Sequence, residues 1–175
     1  DRIYPKVRIV EGRHVTVRFE GNKSLSSGEL KKAVSFAESG AYDETEIMVS
    51  KRRIRAIYQS TARYFVQVSH KKKRIGPSRQ EVTFIIDEGP RVYARAIHVN
   101  GNRFVSRSEI LKAMETKGVA PDGVLNAMTR SSGIVQDEKL INDLMKIRSL
   151  YREKGMHGIR FRCANPKMTP QEWTT

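Results

Sequence analysis

Cysteine, aromatic residues and long apolar runs are scarce in this chain of 175 residues. The single cysteine, Cys163, excludes an internal disulfide framework, and an aromatic share of 7% leaves little material for a surface on which bases could stack. No run approaches the roughly eighteen consecutive apolar residues of a membrane span. The chain also shows no initiator Met and no signal-peptide pattern, and it begins in a strand-like stretch, so we expect it to be a piece of a longer protein.

The residue patterns of catalytic and metal sites are missing as well. The four histidines stand in no His-Glu-x-x-His or Cys-x-x-Cys arrangement, so the sequence gives no support for a zinc site. There is no phosphate-binding Gly-x-x-x-x-Gly-Lys-Ser/Thr loop and no dinucleotide-binding fingerprint. We therefore predict a protein that is not an enzyme and that has no cofactor and no bound metal.

Acidic residues are few relative to basic ones, with 19 Asp and Glu against 33 Lys and Arg and a formal net charge of +14. Such a surplus favours acidic partners, which include nucleic acid, anionic lipid and acidic protein surfaces. The densest run, Lys71-Lys72-Lys73-Arg74, forms a basic patch. It is interpreted either as the solvated end of a hairpin that discourages aggregation or as a site that attracts acidic clients or anionic lipid.

What the chain does contain is an internal repeat. Gly21-Asn22 recurs 80 positions later as Gly101-Asn102, and the same offset carries Ser26-x-x-Glu29 onto Ser106-x-x-Glu109. Ser-x-x-Glu before an apolar run is a capping box, in which the two side chains satisfy free backbone donors at a helix start. Each Gly-Asn is therefore predicted to be a turn, with positive φ tolerated at both residues, that leads into a capped amphipathic helix.

A second helix is predicted in each repeat, at an offset of 93 positions rather than 80. Its apolar face is marked in the first repeat by Ile47, Ile54, Ile57 and Tyr58, and in the second by Leu140, Ile147, Leu150 and Tyr151. Loops absorb insertions more readily than helices do, so we expect the extra residues of the second repeat near Lys117–Gln136.

Alternating apolar and polar residues predict strands around these helices. The apolar positions are Val15, Val17 and Phe19, then Val66 and Val68, then Val82, Phe84 and Ile86 in the first repeat, and Ile97 and Val99, then Ile159 and Phe161 in the second. The last strand has no counterpart in the second repeat, because two prolines follow Cys163 and proline is poorly tolerated inside a sheet.

Each repeat therefore has the order β-α-α-β-β. We predict an α+β fold of tandem units, each with a three-stranded mixed sheet and two helices on one face, the second unit lacking its last strand. The predicted boundaries are 1–12 for the last strand of a preceding unit or a linker, 13–90 for a complete unit, 91–163 for an incomplete unit and 164–175 for an irregular tail.

This order resembles POTRA (polypeptide-transport-associated) domains, most closely at the junction Ile86-Asp87-Glu88-Gly89-Pro90 and the Gly101-Asn102 turn that follows it. Such domains precede the barrel of BamA-like and TamA-like outer-membrane proteins of Gram-negative bacteria. The resemblance covers residues 13 to about 163. It implies a periplasmic location within an outer-membrane protein. The motif residues are assigned structural roles, with Glu88, Gly89 and Pro90 as the linker and Gly21, Asn22, Gly101 and Asn102 as turns.

The resemblance also implies a scaffold that binds unfolded outer-membrane proteins and accessory periplasmic proteins or lipoproteins. The expected mode is β-augmentation, in which an extended peptide adds to a sheet edge through backbone hydrogen bonds. The edge strands of the family correspond here to Tyr64, Phe65, Val66, Gln67, Val68, Ser69 and His70, and to Ile159, Arg160 and Phe161. An anionic membrane surface is a further candidate partner. We also expect strand-swapped self-association, in which Lys6–Val10 of one copy pairs with the incomplete second unit of another.

Two alternatives stay open. A basic nucleic-acid-binding protein is favoured by the charge alone, whereas the few, core-phased aromatic residues and the absence of an RNA-binding signature speak against it, so no nucleic-acid partner is expected. The same fold could instead belong to the POTRA arm of a dedicated two-partner secretion translocator.

Overall fold

The computed structural model describes residues 14–35, 43–77, 79–118 and 133–161. The elements run in the order β1 (His14–Glu20), α1 (Ser27–Lys31), α2 (Glu44–Ser60), β2 (Gln67–Arg74), β3 (Arg79–Asp87), α3 (Arg107–Ala113) and α4 (Asp137–Glu153). The prediction of an α+β fold is confirmed, and so is the β-α-α-β-β order of the first repeat.

The described residues divide into two compact units. Unit 1 takes those of Asp1–Lys51 and Val68–Asp87, and unit 2 takes those of Arg52–Gln67 and Glu88–Thr175. Helix α2 contributes residues to both units. This division is based on compactness and differs from the repeat boundaries at residues 13–90 and 91–163, which stay a prediction.

The sheet of unit 1 has the strand order β1-β3-β2, so that β3 is central. Strands β1 and β3 run parallel, with Val17 opposite Val82 and Phe19 opposite Phe84, and the two phenylalanine rings stack at 5.7 Å between centroids. Strands β2 and β3 are joined by residues 75–78 alone, which is too short for a parallel crossover, so this pair is antiparallel and the sheet is mixed. The predicted alternation is confirmed in β3, where Val82 and Phe84 are fully buried.

Both capping boxes form as the sequence predicts. Ser26 Oγ accepts from Glu29 N at 3.2 Å while Ser26 N donates to the Glu29 carboxylate at 2.9 Å. The same two bonds recur at the same distances between Ser106 and Glu109. The repeat identified in the sequence therefore corresponds to two copies of one local structure, each starting a short helix.

In each Gly-Asn turn the glycine adopts positive φ and the asparagine does not. Gly21 and Gly101 have φ of +83° and +82°, but among the described residues Ala62 is the one non-glycine with positive φ. The asparagines act through their side chains instead. Asn22 Nδ2 donates to the carbonyl of Leu25 at 2.9 Å, and Asn102 Nδ2 donates to the equivalent carbonyl three residues further on at 3.0 Å.

The second helix of each repeat buries its predicted apolar face. In α2, Ile47, Ile54 and Tyr58 are fully buried. In α4, Ile147 joins a buried cluster against which half-buried side chains of the same unit pack; the buried members are Val105, Ile110, Met114 and Ile147, and the half-buried ones include Ile97, Val99, Leu150, Tyr151 and Phe161.

One contact shared by both repeats was not anticipated. In unit 1, Ser35 N donates to Ser50 Oγ of α2 at 3.0 Å. At the positions 80 and 93 residues later, Glu115 N donates to Asp143 Oδ1 of α4 at 2.5 Å, and Thr116 N donates to Asp143 Oδ2 at 3.0 Å. The second helix thus accepts hydrogen bonds from the backbone that follows the first helix, with a hydroxyl in one repeat and a carboxylate in the other.

The first edge strand starts three residues later and ends four residues later than predicted. The prediction ran from Tyr64 to His70, whereas β2 spans Gln67–Arg74 and Tyr64 and Phe65 form a turn. The turn follows from the end of α2, where Ala62 adopts φ of +66° and Val66 N donates back to Arg63 O at 3.3 Å. The basic run 71–74, interpreted as a hairpin end, lies within the strand itself.

In the second repeat the predicted strands around Ile97 and Val99 and at Ile159–Phe161 do not form in the described part of the chain. A strand needs a hydrogen-bonding partner, and no described segment takes the place that β3 has in unit 1. The side chains of Ile97, Val99 and Phe161 still point inward and pack on the buried cluster of unit 2. The predictions for residues 1–12, for most of the insertion and for Cys163 with the tail fall outside the described residues.

Candidate partner-binding edge

Strand β2 has β3 on one side and no other described strand on its second side. Ile75 N donates to Arg79 O at 3.0 Å, and Ser69 Oγ donates to Ile85 O at 3.4 Å. Both contacts fit one antiparallel register, in which Ile75 is opposite Arg79 and Ser69 is opposite Ile85. Backbone groups alternate in direction along an antiparallel strand, so the N–H and C=O of His70 point away from β3, toward the open edge.

The side chains of β2 also alternate between the two faces of the sheet. His70 and Lys72 lie on the face that carries the start of α2, where Lys72 Nζ donates to the carboxylate of Glu44 and His70 Nε2 is 3.4 Å from Glu44 Oε1. The hydrogen bond from Lys72 lowers the pKa of Glu44, and partial burial lowers the pKa of His70. Near neutral pH, Glu44 on this face is therefore ionised and His70 is neutral. The negative charge of Glu44 compensates the positive charge of Lys72.

The remaining members of the basic patch are exposed along the strand. Lys71 and Lys73 lie on the opposite face from His70 by the alternation of the strand. Arg74 turns back over the hairpin, where its guanidinium donates to the carbonyls of Gly76 and Pro77 at 3.2 Å each. The structure thus places positive charge beside the open backbone edge rather than beyond its end.

Three of the predicted edge residues lie outside the strand. Tyr64 and Val66 are buried, and the Tyr64 and Phe65 rings meet edge to face at 5.3 Å. These three residues therefore anchor the start of β2, while Gln67, Val68, Ser69 and His70 lie within it.

The linker Glu88-Gly89-Pro90 is held by a residue that the sequence did not single out. Arg63 Nη1 donates to the carbonyl of Gly89, and Arg63 Nε is 3.3 Å from the carboxylate of Glu88, which is only 7% exposed. Gly89 has φ of +61°, a conformation that favours glycine. The internal repeat does not identify Arg63 as a functional position, because the residue 93 positions later is Met156.

The predicted edge residues of the second repeat are placed differently. Ile159 and Phe161 are half-buried, Arg160 is exposed, and the guanidinium of Arg148 lies 5.7 Å from the centre of the Phe161 ring. These residues present no hydrogen-bonded strand edge in the described part of unit 2.

The described ranges contain no group of three His, Cys, Asp or Glu side chains placed to hold a metal ion. Within the same ranges, no helix has the length and apolar character needed to cross a membrane.

A family model matches residues 15–89, namely POTRA, described as a surface antigen variable number repeat. The outer membrane protein assembly factor BamA of Neisseria meningitidis serogroup B is 22% identical over 149 residues, which are 83% of this chain and 18% of that protein. A protein of Treponema pallidum (strain Nichols) is 24% identical over 139 residues, 79% of this chain and 16% of its own length. The chain therefore spans less than a fifth of either relative.

Two solved structures share the fold. Haemophilus influenzae BamA POTRA3-5 superposes with a TM-score of 0.56 at 13% identity, over 90% of this chain and 56% of that one. BamA from Haemophilus ducreyi lacking POTRA domains 1-3 gives a TM-score of 0.57 at 16% identity, over 91% of this chain and 27% of that one.

Proposed function

We propose that residues 15–89, which the POTRA family model matches, form a POTRA domain and that the chain is a periplasmic scaffold of an outer-membrane protein assembly machine. In this proposal the tandem units at residues 13–90 and 91–163 are parts of a larger outer-membrane protein. Their role is to bind unfolded outer-membrane proteins and accessory periplasmic proteins, without catalysis of a reaction.

The open edge of β2 is the observation that carries the proposal. An edge strand offers a row of backbone donors and acceptors that an extended peptide can pair with, whatever its side chains. That property suits a class of clients which share strand-forming segments but no common sequence. Because His70 directs its backbone toward the edge, the pairing of a client would include the N–H of this residue.

The charge beside the edge supports an acidic or anionic partner. Lys71 and Lys73 are exposed on β2, and opposite charge raises the rate of encounter more than the final affinity. An anionic membrane surface would be attracted by the same charges. The two sources differ in one respect, because a lipid surface needs the lysine charges but not the backbone N–H of β2.

The test is a matched pair of variants at one position. Both His70→Ala and His70→Pro remove the imidazole and its contact with Glu44, but only proline removes the backbone N–H that faces the edge. Binding of a strand-forming peptide with alternating apolar residues and net negative charge is measured by fluorescence anisotropy. We expect His70→Ala to bind within about twofold of the unchanged chain and His70→Pro to bind about tenfold more weakly, the loss of about one hydrogen bond and its geometry.

Two controls make the result interpretable. Urea unfolding checks that His70→Pro is folded. A peptide of scrambled sequence checks that binding needs the alternation of apolar residues. The double variant Lys71→Gln with Lys73→Gln is expected to slow association and to reduce binding to anionic vesicles. Equal peptide binding by the alanine and proline variants would refute β-augmentation at β2.

A further inference from the structure

Helix α4 carries two apolar side chains on the side that faces away from the core of its unit. Asp143 and Ile147 are buried on the inner side, whereas Ile141 and Met145 are 53% and 62% exposed. Residues four positions apart lie on the same side of a helix, one turn from each other, so these two side chains are neighbours. They form an apolar patch that the described part of the chain leaves open.

One charge of each sign flanks this patch. Glu138 precedes Ile141 by three residues, Arg148 follows Met145 by three residues, and both charged side chains are exposed. At 3.6 residues per turn, the four positions fall within about 80° of the helix circumference. We call these four residues the outer face of α4. Neither charge belongs to an ion pair in the described part of the chain, where those of α4 are formed by Asp137, Lys146 and Lys154.

We propose that the outer face is a self-association surface on which α4 of a second copy of the chain packs antiparallel. The spacing along the face is three, four and three residues, which is the same in both directions along the helix. A register that places Ile141 of one copy opposite Met145 of the other also places each Glu138 opposite an Arg148. Every contact then occurs twice about a two-fold axis, as in other isologous dimers, and both apolar patches are covered.

The surroundings of the outer face suit the close packing of two helices. Asn142 and Ser149 are exposed beside it and have short side chains, which leaves room for the usual distance of about 8–10 Å between packed helix axes. The guanidinium of Arg148 lies 5.7 Å from the centre of the Phe161 ring of the same copy. Because this contact already orders the side chain, Arg148 loses less conformational freedom when it pairs with Glu138.

The equivalent face of α2 is not complementary to itself. The positions 93 residues earlier are Thr45, Met48, Arg52 and Arg55, and Met48 is similarly exposed, at 57%. In the same antiparallel register Met48 would meet Arg52, and Arg55 would meet a threonine rather than a carboxylate. The surface is therefore a property of α4 and not of the helix that both repeats share. It is also separate from the open edge of β2, so neither proposal depends on the other.

Sedimentation equilibrium of the whole chain measures the association directly. A single helix pair buries less area than a standard protein–protein interface, so we expect a weak dimer with a Kd of about 0.1–1 mM. The formal net charge of +14 opposes the approach of two copies, and an ionic strength of about 0.15 M screens that repulsion beyond roughly 8 Å. The average mass should therefore rise from monomer toward dimer between chain concentrations of about 10 µM and 1 mM.

Charge reversal tests the antiparallel register. Glu138→Arg places two arginines opposite each other at both ends of the dimer, and Arg148→Glu places two glutamates there. We expect each variant alone to dimerise at least about fivefold more weakly than the unchanged chain. In an equal mixture, one copy of each variant restores both pairs of opposite charge, so the mixture should associate about as strongly as the unchanged chain.

The apolar patch has a matched control in α2. Met145→Ser removes an exposed apolar side chain from the outer face of α4, and Met48→Ser removes one of similar exposure from α2. We expect the association to weaken about fivefold in Met145→Ser and to change by less than about twofold in Met48→Ser. Circular dichroism at micromolar concentration, where the chain is monomeric, checks that each variant is folded.

Three outcomes would overturn the inference. An average mass that stays at the monomer value up to about 1 mM excludes the dimer. Equal association of Met145→Ser and Met48→Ser assigns the contact to another surface, such as the open edge of β2. A mixture of the two charge variants that associates no better than either variant alone excludes the antiparallel register.

Discussion

Replacing Asp143 with asparagine tests the contact that both repeats share. Asp143 is 1% exposed, and its two carboxylate oxygens accept from the backbone N–H groups of Glu115 and Thr116. Asparagine keeps the size of the side chain but offers only one oxygen. Its amide nitrogen would face one of the two backbone donors, which would then be buried without an acceptor.

The magnitude follows from those two bonds. A hydrogen bond to a charged group contributes about 1.5–3 kcal/mol, and a buried donor left without a partner costs about 1–3 kcal/mol. These two figures describe the same lost bond and are therefore not added together. We expect Asp143→Asn to lower the free energy of unfolding by about 2–3 kcal/mol. For a cooperative unit of 60–100 residues, each kcal/mol shifts Tm by roughly 4–8 °C, which gives a fall of about 8–24 °C.

The assay is thermal and urea unfolding followed by far-ultraviolet circular dichroism. Glu138→Gln serves as the control, because it removes one carboxylate from an exposed position of the same helix and is expected to change stability by at most about 0.5 kcal/mol. If Asp143→Asn is as stable as Glu138→Gln, then the side chain of Asp143 does not hold the end of the first helix and the equivalence with Ser50 has no energetic meaning.

Three further outcomes are expected. Phe84→Ala, in a fully buried position, lowers the unfolding free energy by about 3–5 kcal/mol, whereas Phe104→Ala, 66% exposed, changes it by at most about 0.5 kcal/mol in the same urea titration. Gly89→Ala costs about 1–2 kcal/mol through its φ of +61° alone, and Gly21→Ala costs more, because the β3 backbone blocks its Cβ. Hydrogen bonds from a lysine and the capping serine lower the pKa of Glu109 to about 2. The stability lost in Glu109→Gln is therefore fully measurable above pH 4.5 and disappears as the pH falls toward 2.

The local structure could be predicted from the sequence because its causes are local. A capping box needs only four consecutive residues, and both copies form with the same bond lengths. The apolar faces of α2 and α4 follow from helical spacing, and the alternation in β3 follows from strand spacing. The reversal of the chain at Ala62 was not predictable, because positive φ at an alanine is set by its surroundings and carries no sequence signal. That reversal moved the start of β2 by three residues.

The candidate site was only partly visible in the sequence for a related reason. The residues Val68, Ser69 and His70 were identified as an edge, and they do lie on the outer strand. Which backbone groups face outward depends on the register with β3, and that register is a property of two strands together. The same holds for Arg63, whose importance comes from its contacts with Glu88 and Gly89 and from nothing in its own neighbourhood along the chain.

A comparison of the two repeats shows what the alternating pattern of apolar residues determines and what strand pairing adds to it. Val17 and Phe19 lie in a strand, whereas Ile97 and Val99, with the same spacing and the same Gly-Asn turn after them, do not. All four side chains are half-buried, so the alternating pattern alone is enough to decide which side chains turn inward. It is not enough to make a strand, because the backbone hydrogen bonds come from β3, and unit 2 has no counterpart of β3 among the residues described.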